Sequence, residues 1–133
     1  MANNIASGEF STAEGLNTVA SGFVSNSQGI ETVASGKGSH AEGFKSEAPG
    51  LYAHAEGAYT MATKYAAHSE GQGTCALGQY AHAEGLDTTA TGKNAHSQGA
   101  YTLASGRSSH ASGERTVAEG LWTTSLGYGS KAS

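Results

Sequence analysis

Gln79-Tyr80-Ala81-His82-Ala83-Glu84-Gly85-Leu86-Asp87-Thr88-Thr89-Ala90-Thr91-Gly92 decides the fold, because the whole chain repeats its plan. Each half ends in glycine, and each carries small residues two apart: Ala81 and Ala83, then Thr88 and Ala90. Stepping back from Gly85 by sevens reaches Gly78, Gly71, then Gly57, Gly50, Gly43, Gly36, Gly29, Gly22, Gly15 and Gly8. Stepping forward reaches Gly92, Gly99, Gly106, Gly113, Gly120 and Gly127, and the one interruption is Lys64. A series this strict, with no insertion, means one small structural unit stacked end to end.

A seven-residue period first suggests a coiled coil. That fold needs large apolar residues at two positions of each heptad, and each interior Gly costs a helix roughly 0.8–1 kcal/mol against Ala. A glycine at every second turn therefore excludes it. With Gly as position 7, position 3 from Ser11 onward is Ser, Thr or Ala, and position 5 is Ala or Ser throughout. Small residues two apart have the period of a β-strand. The expected unit is a short strand over positions 3 to 6 and a turn at positions 7, 1 and 2, where Gly supplies a backbone conformation costly for other residues.

The six histidines all fall at position 4, at 40, 54, 68, 82, 96 and 110, which is every fourteenth residue. The intervening heptads have Val19, Val33, Glu47, Met61, Cys75, Thr89, Leu103 and Val117 there. One coil is therefore fourteen residues with two unlike strands, and the predicted fold is an all-β parallel solenoid of about nine coils, residues 1–133 forming one domain. Only Ala, Ser and Thr fill its interior, at roughly 4.8 Å per rung.

Thr124-Ser125-Leu126-Gly127-Tyr128-Gly129-Ser130-Lys131-Ala132-Ser133 resembles the head repeats of trimeric autotransporter adhesins of the YadA type. Those repeats are left-handed parallel β-rolls that alternate a Ser-Val-Ala-Ile-Gly strand with a looser Ala-x-Ala-x-Gly strand. Elsewhere in the chain the first strand reads Ser39-His40-Ala41-Glu42-Gly43, Ala53-His54-Ala55-Glu56-Gly57, Ala67-His68-Ser69-Glu70-Gly71 and Ala81-His82-Ala83-Glu84-Gly85. Strands of this kind are also similar to those of bacteriophage fibre and neck-appendage proteins. The resemblance implies a homotrimer with no enzymatic activity and no cofactor. It implies a place on the bacterial surface behind a stalk and membrane-anchor barrel, or alternatively on a virion fibre, and a role in holding a rigid rod and presenting turns to a host protein or glycan.

Composition is consistent with an assembled rod. The chain has three Phe and one Trp, so a lone roll buries little apolar area and partner chains are the expected remedy. Net charge is −4 without a basic run, which disfavours nucleic acid, and no apolar run approaches the roughly 20 residues of a membrane span. The repeat is already in register at Ile5-Ala6-Ser7-Gly8 and stops mid-strand at Ser133, as expected of part of a longer fibrous protein; no signal peptide is visible after Met1.

Positions 4 and 6 face away from the small-residue interior. On one strand they pair His40/Glu42, His54/Glu56, His68/Glu70, His82/Glu84, His96/Gln98 and His110/Ser112, with Leu126 at position 6 of the C-terminal coil. Stacking turns these pairs into columns. In the resembling family this strand faces the threefold axis, so the resemblance implies that His40 to His110, the partnering Glu42, Glu56, Glu70, Glu84 and Gln98, and Leu126 form the trimer interface. Rings of charge-assisted hydrogen bonds would replace an apolar core there, raising the histidine pKa values, whereas burial alone lowers them. The opposite strand, with Val19, Val33, Met61, Leu103 and Val117, is more apolar and is the competing candidate for the axis.

Six histidines in a column also invite a metal reading, which the glutamates disfavour by giving each His a partner. Ser39, His40 and Glu42 have the residue types of a hydrolase triad, but neighbours on a strand point to opposite sides. Cys75 is expected to be a free thiol. Phosphate-loop, HExxH, CxxC and N-glycosylation patterns are absent.

Every aromatic residue is at position 1 or 2, hence on a turn. Among them Tyr52, Tyr59, Tyr65, Tyr80, Tyr101 and Trp122 are candidates for a receptor surface, against the plainer reading that they cover the roll edges or staple partner chains. The threonines at position 3 (Thr18, Thr32, Thr60, Thr74, Thr88, Thr102, Thr116) form a ladder that would suit ice binding only if it were outside.

Overall fold

The computed structural model describes residues 3–133, and among them every regular element is a β-strand. Nine five-residue strands, from Thr12–Leu16 to Thr124–Tyr128, alternate with ten two-residue strands, from Ile5–Ala6 to Lys131–Ala132. Each long strand pairs in parallel with the long strands fourteen residues before and after it, and the short strands do the same, giving a nine-stranded and a ten-stranded sheet. Identical positions face one another across the ladder: His68 opposite His82, Glu70 opposite Glu84, Gly71 opposite Gly85. The chain is thus a two-sided parallel solenoid of about nine coils.

Positions 3 and 5 point between the sheets. Ala41, Ala55, Ala83, Ala90 and Ala104 are fully buried, and among the described residues no side chain larger than Thr is. The threonine ladder lies entirely in this interior, which leaves it no exposed face on which to order water. Where position 5 of a long strand is Ser, its hydroxyl meets the position-3 hydroxyl just before the next short strand: Ser27–Thr32 at 2.8 Å, Ser69–Thr74 at 2.7 Å, Ser97–Thr102 at 2.7 Å and Ser125–Ser130 at 2.8 Å. Where position 5 is Ala, as at Ala55 and Ala111, the buried hydroxyls of Thr60 and Thr116 have no partner. Ala55→Ser should place a hydroxyl against Thr60 and raise stability by about 0.5–1.5 kcal/mol, measured by chemical denaturation. A loss of stability would show that the extra oxygen is not accommodated there.

The strand boundaries and the backbone strain differ from the sequence expectation. Long strands run over positions 4 to 7 and on to position 1, so their glycines lie inside the ladder, and short strands cover positions 4 and 5 only. The two glycine series are therefore unlike. Gly85, within a long strand, has φ +110, and a Cβ there would lie 2.1 Å from the Gly99 carbonyl oxygen. Gly92, after a short strand, lies outside the left-handed region but is equally crowded, its Cβ falling 2.0 Å from the Gly106 oxygen.

The recurrent left-handed residue is at position 2, where φ is near +55 whatever the side chain: Val24 (+54), Tyr52 (+56), Tyr80 (+56), Trp122 (+55). The cause is a reversal of hydrogen bonding. Strand N–H groups donate to the following coil, as Val19 N does to Thr32 O (2.9 Å), but position-2 N–H groups donate to the preceding one, as Tyr52 N does to Lys37 O (2.8 Å) and Val24 N to Glu9 O (2.9 Å). A left-handed residue swings the N–H backward along the rod, and this bond offsets the roughly 1–2 kcal/mol that the conformation costs.

Lys64 occupies a position of the Gly92 type and is not at positive φ. Its N–H does not donate as Gly50 N does to Ala62 O (3.2 Å) and Gly78 N does to Ala90 O (3.2 Å). The turn adapts to the lysine Cβ locally rather than by left-handed strain.

Candidate functional site

The face of the nine-stranded sheet carries the histidines. Alternation along each long strand sends position 5 inward and positions 4 and 6 outward, so His40, His54, His68, His82, His96 and His110 form one column and Glu42, Glu56, Glu70, Glu84 and Gln98 the next. Adjacent imidazoles stack with centroids 4.7–4.9 Å apart; from His54 to His110 the rings are within 6° of parallel, and His40 tilts by 26°. The rings of His40, His54, His68, His82 and His96 turn their Nε2 toward carboxylates. His82 Nε2 lies 3.2 Å from Glu70 Oε1 and His96 Nε2 3.1 Å from Glu84 Oε1, both bridging adjacent coils. His40 reaches Glu42 of its own coil at 3.4 Å, while Glu56 sits between His54 (3.7 Å) and His68 (3.8 Å).

Within one chain, carboxylates share hydrogen bonds with only some of the histidines. Nε2 of His40, His54, His68 and His110 is screened from solvent and has no hydrogen-bond partner among the described residues. The stacking pitch is set by the backbone ladder, not by the side chains, so the rings cannot all choose the best angle to a carboxylate.

Electrostatics follow from this packing. Burial, then the neighbouring His68 and His40, hold His54 below the ordinary imidazole value, outweighing Glu56 and Glu42. Burial and His96 do the same at His110 against the pull of Glu84. Burial pushes the Glu84 carboxyl up, but its hydrogen bond from His96 and the charges of His82 and His96 hold it below the usual carboxylate range. In the single chain, desolvation and like neighbours win at His54 and His110.

The sign of the pH dependence follows. An imidazole with a lowered folded pKa leaves the folded state short of protons, so its stability is full above the unfolded value near 6.5 and is lost as pH falls from there through the folded value. A depressed Glu84 acts in the same direction at lower pH, its contribution disappearing as pH falls through the folded carboxyl value. Urea denaturation midpoints in the presence of a chelator should therefore decline steadily on acidification, and His54→Asn with His110→Asn should flatten the upper part of that decline. A stability maximum in mild acid would instead indicate raised histidine values and cross-chain ion pairs.

The aromatic candidates divide between two edges of the roll. Residues after the short strands form one edge, where Tyr52–Tyr65 and Tyr65–Tyr80 meet edge-to-face at 5.7 and 5.4 Å. Phe10 and Phe23 pack in the same way at 5.9 Å. Trp122 lies on this edge three coils beyond Tyr80. Tyr59 and Tyr101 follow long strands and lie on the other edge, Tyr59 against Phe44 at 5.2 Å and Tyr101 beneath Arg115. The six candidates are thus exposed, as expected, but they do not form one surface. Leu126 is exposed on the histidine face near its C-terminal end. The lone Cys75 is on the opposite sheet, half-buried and free, with burial and then Asp87 pushing its thiol up.

No curated protein matches the chain closely enough to be named. The YadA head domain repeat matches residues 2–25, 69–95 and 97–121, more than half of the sequence. The chain belongs to the YadA head domain repeat family.

Proposed function

We propose that this chain is the head segment of a trimeric autotransporter adhesin: a left-handed β-roll that assembles as a homotrimer on the bacterial surface and presents its turn edges for attachment. The observation that carries the reading is the mismatch between core and surface. Among the described residues nothing larger than Thr is fully buried, while Phe10, Leu51, Tyr52, Tyr80, Leu121, Trp122 and Tyr128 are exposed, so a single chain leaves much of its large apolar surface in water. Self-association removes part of that surface. The family match favours the cell-surface reading over a virion fibre, and a structural, non-enzymatic role suits an array of near-identical coils.

Within the trimer, the histidine–glutamate face lines the threefold axis, including Leu126, and Tyr52, Tyr59, Tyr65, Tyr80, Tyr101 and Trp122 remain on the edges available to a host protein or glycan. Cysteine cross-linking tests the orientation. His68→Cys in a Cys75→Ser background should give a covalent dimer on a denaturing gel after mild oxidation, whereas the native Cys75 should not. The reverse pattern would put the short-strand face, with Val19, Val33 and Leu103, at the axis.

A further inference from the structure

The imidazole and carboxylate columns supply more donor atoms than their own hydrogen bonds use. Four of the six Nε2 atoms are screened from water and unpartnered, an arrangement that costs free energy unless something else occupies those lone pairs or N–H groups. One donor atom each from His68, Glu70 and His82 lie within 4.8 Å of one another, and a second set gathers Glu42, His54 and Glu56. We propose that this face chelates a divalent transition-metal ion, with His68, Glu70 and His82 as its best-formed site.

The spacings fit such an ion. Bonds of about 2.0–2.2 Å at tetrahedral to square angles hold two donor atoms about 2.8–3.6 Å apart. His82 Nε2 to Glu70 Oε1 (3.2 Å), His96 Nε2 to Glu84 Oε1 (3.1 Å) and His40 Nε2 to Glu42 Oε2 (3.4 Å) all fall in that interval. Adjacent imidazoles are 4.7 Å apart at His68 and His82, so the two rings need only tilt their Nε2 edges toward a shared ion. Two imidazoles with one carboxylate select Zn²⁺, Ni²⁺, Co²⁺ or Cu²⁺ over Mg²⁺ and Ca²⁺, which prefer all-oxygen sets. Electrostatics favour the same outcome. Glu56, Glu70 and Glu84 stand in register on successive coils, and a cation between them and neutral imidazoles relieves their mutual repulsion. All three donors come from one chain, so the donor set is the same whether this face lines the trimer axis, as proposed above, or lies open to solvent.

Titration of chelator-treated protein with Co²⁺ near neutral pH tests this. Visible absorption and calorimetry should both report saturable binding that Zn²⁺ displaces and Ca²⁺ does not. A variant with His54, His68, His82 and His96 changed to Asn, the residue that already stands in this column at Asn26, should lose about tenfold or more in affinity. Glu70→Gln should weaken binding to a lesser degree, and it decides the matter alone if the multiple variant fails to fold. The absence of a Co²⁺ spectrum in the wild type, or unchanged affinity in Glu70→Gln, would overturn the proposal. Sedimentation of the metal-free protein reports on trimer formation separately, so failure of either idea is recognisable.

Discussion

Gly85→Ala should abolish or cripple folding, whereas Gly92→Ala should be survivable. At Gly85 two penalties combine: φ of +110, a conformation that residues with a Cβ rarely adopt, and a methyl carbon placed 2.1 Å from the Gly99 carbonyl oxygen. Backbone strain costs about 1–3 kcal/mol, and overpacking against a backbone that cannot move adds about 1–3 kcal/mol. Together they consume much of a total stability of roughly 5–15 kcal/mol. At Gly92 only the crowding term applies, and Lys64 demonstrates that this turn can accept a side chain with the loss of one inter-coil hydrogen bond. Thermal unfolding of the two variants should show a much larger drop for Gly85→Ala. Equal losses would mean that crowding alone dominates, and that the in-strand conformation is freely available to alanine.

Ala83→Leu should be comparably damaging, and Ala83→Ser should not. Ala83 is fully buried between two sheets whose separation is fixed by backbone ladders on both sides, and no larger residue than Thr is fully buried anywhere in that interior. Leucine adds three heavy atoms to a space without slack. The cost is about 3 kcal/mol, or the local separation of a coil from its neighbours, in line with the nearest-neighbour cooperativity of solenoids. Serine already occupies the same rung position at Ser69 and Ser97, the direct neighbours of Ala83, and at 88 a threonine stands ready to accept its hydroxyl. Urea denaturation separates these outcomes. A well-folded Ala83→Leu protein with an unchanged midpoint would show that the sheets can spread and that the small-residue rule is not steric.

Much of this fold is legible in the sequence because each side chain's side is dictated by strand alternation. Ala81, Ala83, Thr88 and Ala90 read as interior from their spacing, and all four are buried. The coil length is likewise written in the fourteen-residue histidine period. What escapes a sequence reading is set by contacts between coils. Gly85 and Gly92 carry the same letter but differ in backbone conformation, because one continues a ladder and the other ends a short strand. The left-handed position 2 has no compositional mark, since its geometry comes from a bond to the preceding coil that Val24, Tyr52 and Trp122 make as well as Gly38 does. The unpartnered histidine nitrogens depend on ring angle and coil pitch, which residue spacing does not specify. The division of the aromatics between two edges was available from the fourteen-residue frame: Tyr59 and Tyr101 follow histidine strands, and Tyr52 and Tyr80 do not.

Mass in solution tests the assembly most directly. Sedimentation equilibrium of the folded protein at micromolar concentration should give a single species near three times the 13.3 kDa chain, about 40 kDa, with the β-rich circular dichroism of the solenoid. A stable, folded species of 13.3 kDa would contradict it, leaving a solitary solenoid whose histidine–glutamate face and aromatic edges are exposed to solvent.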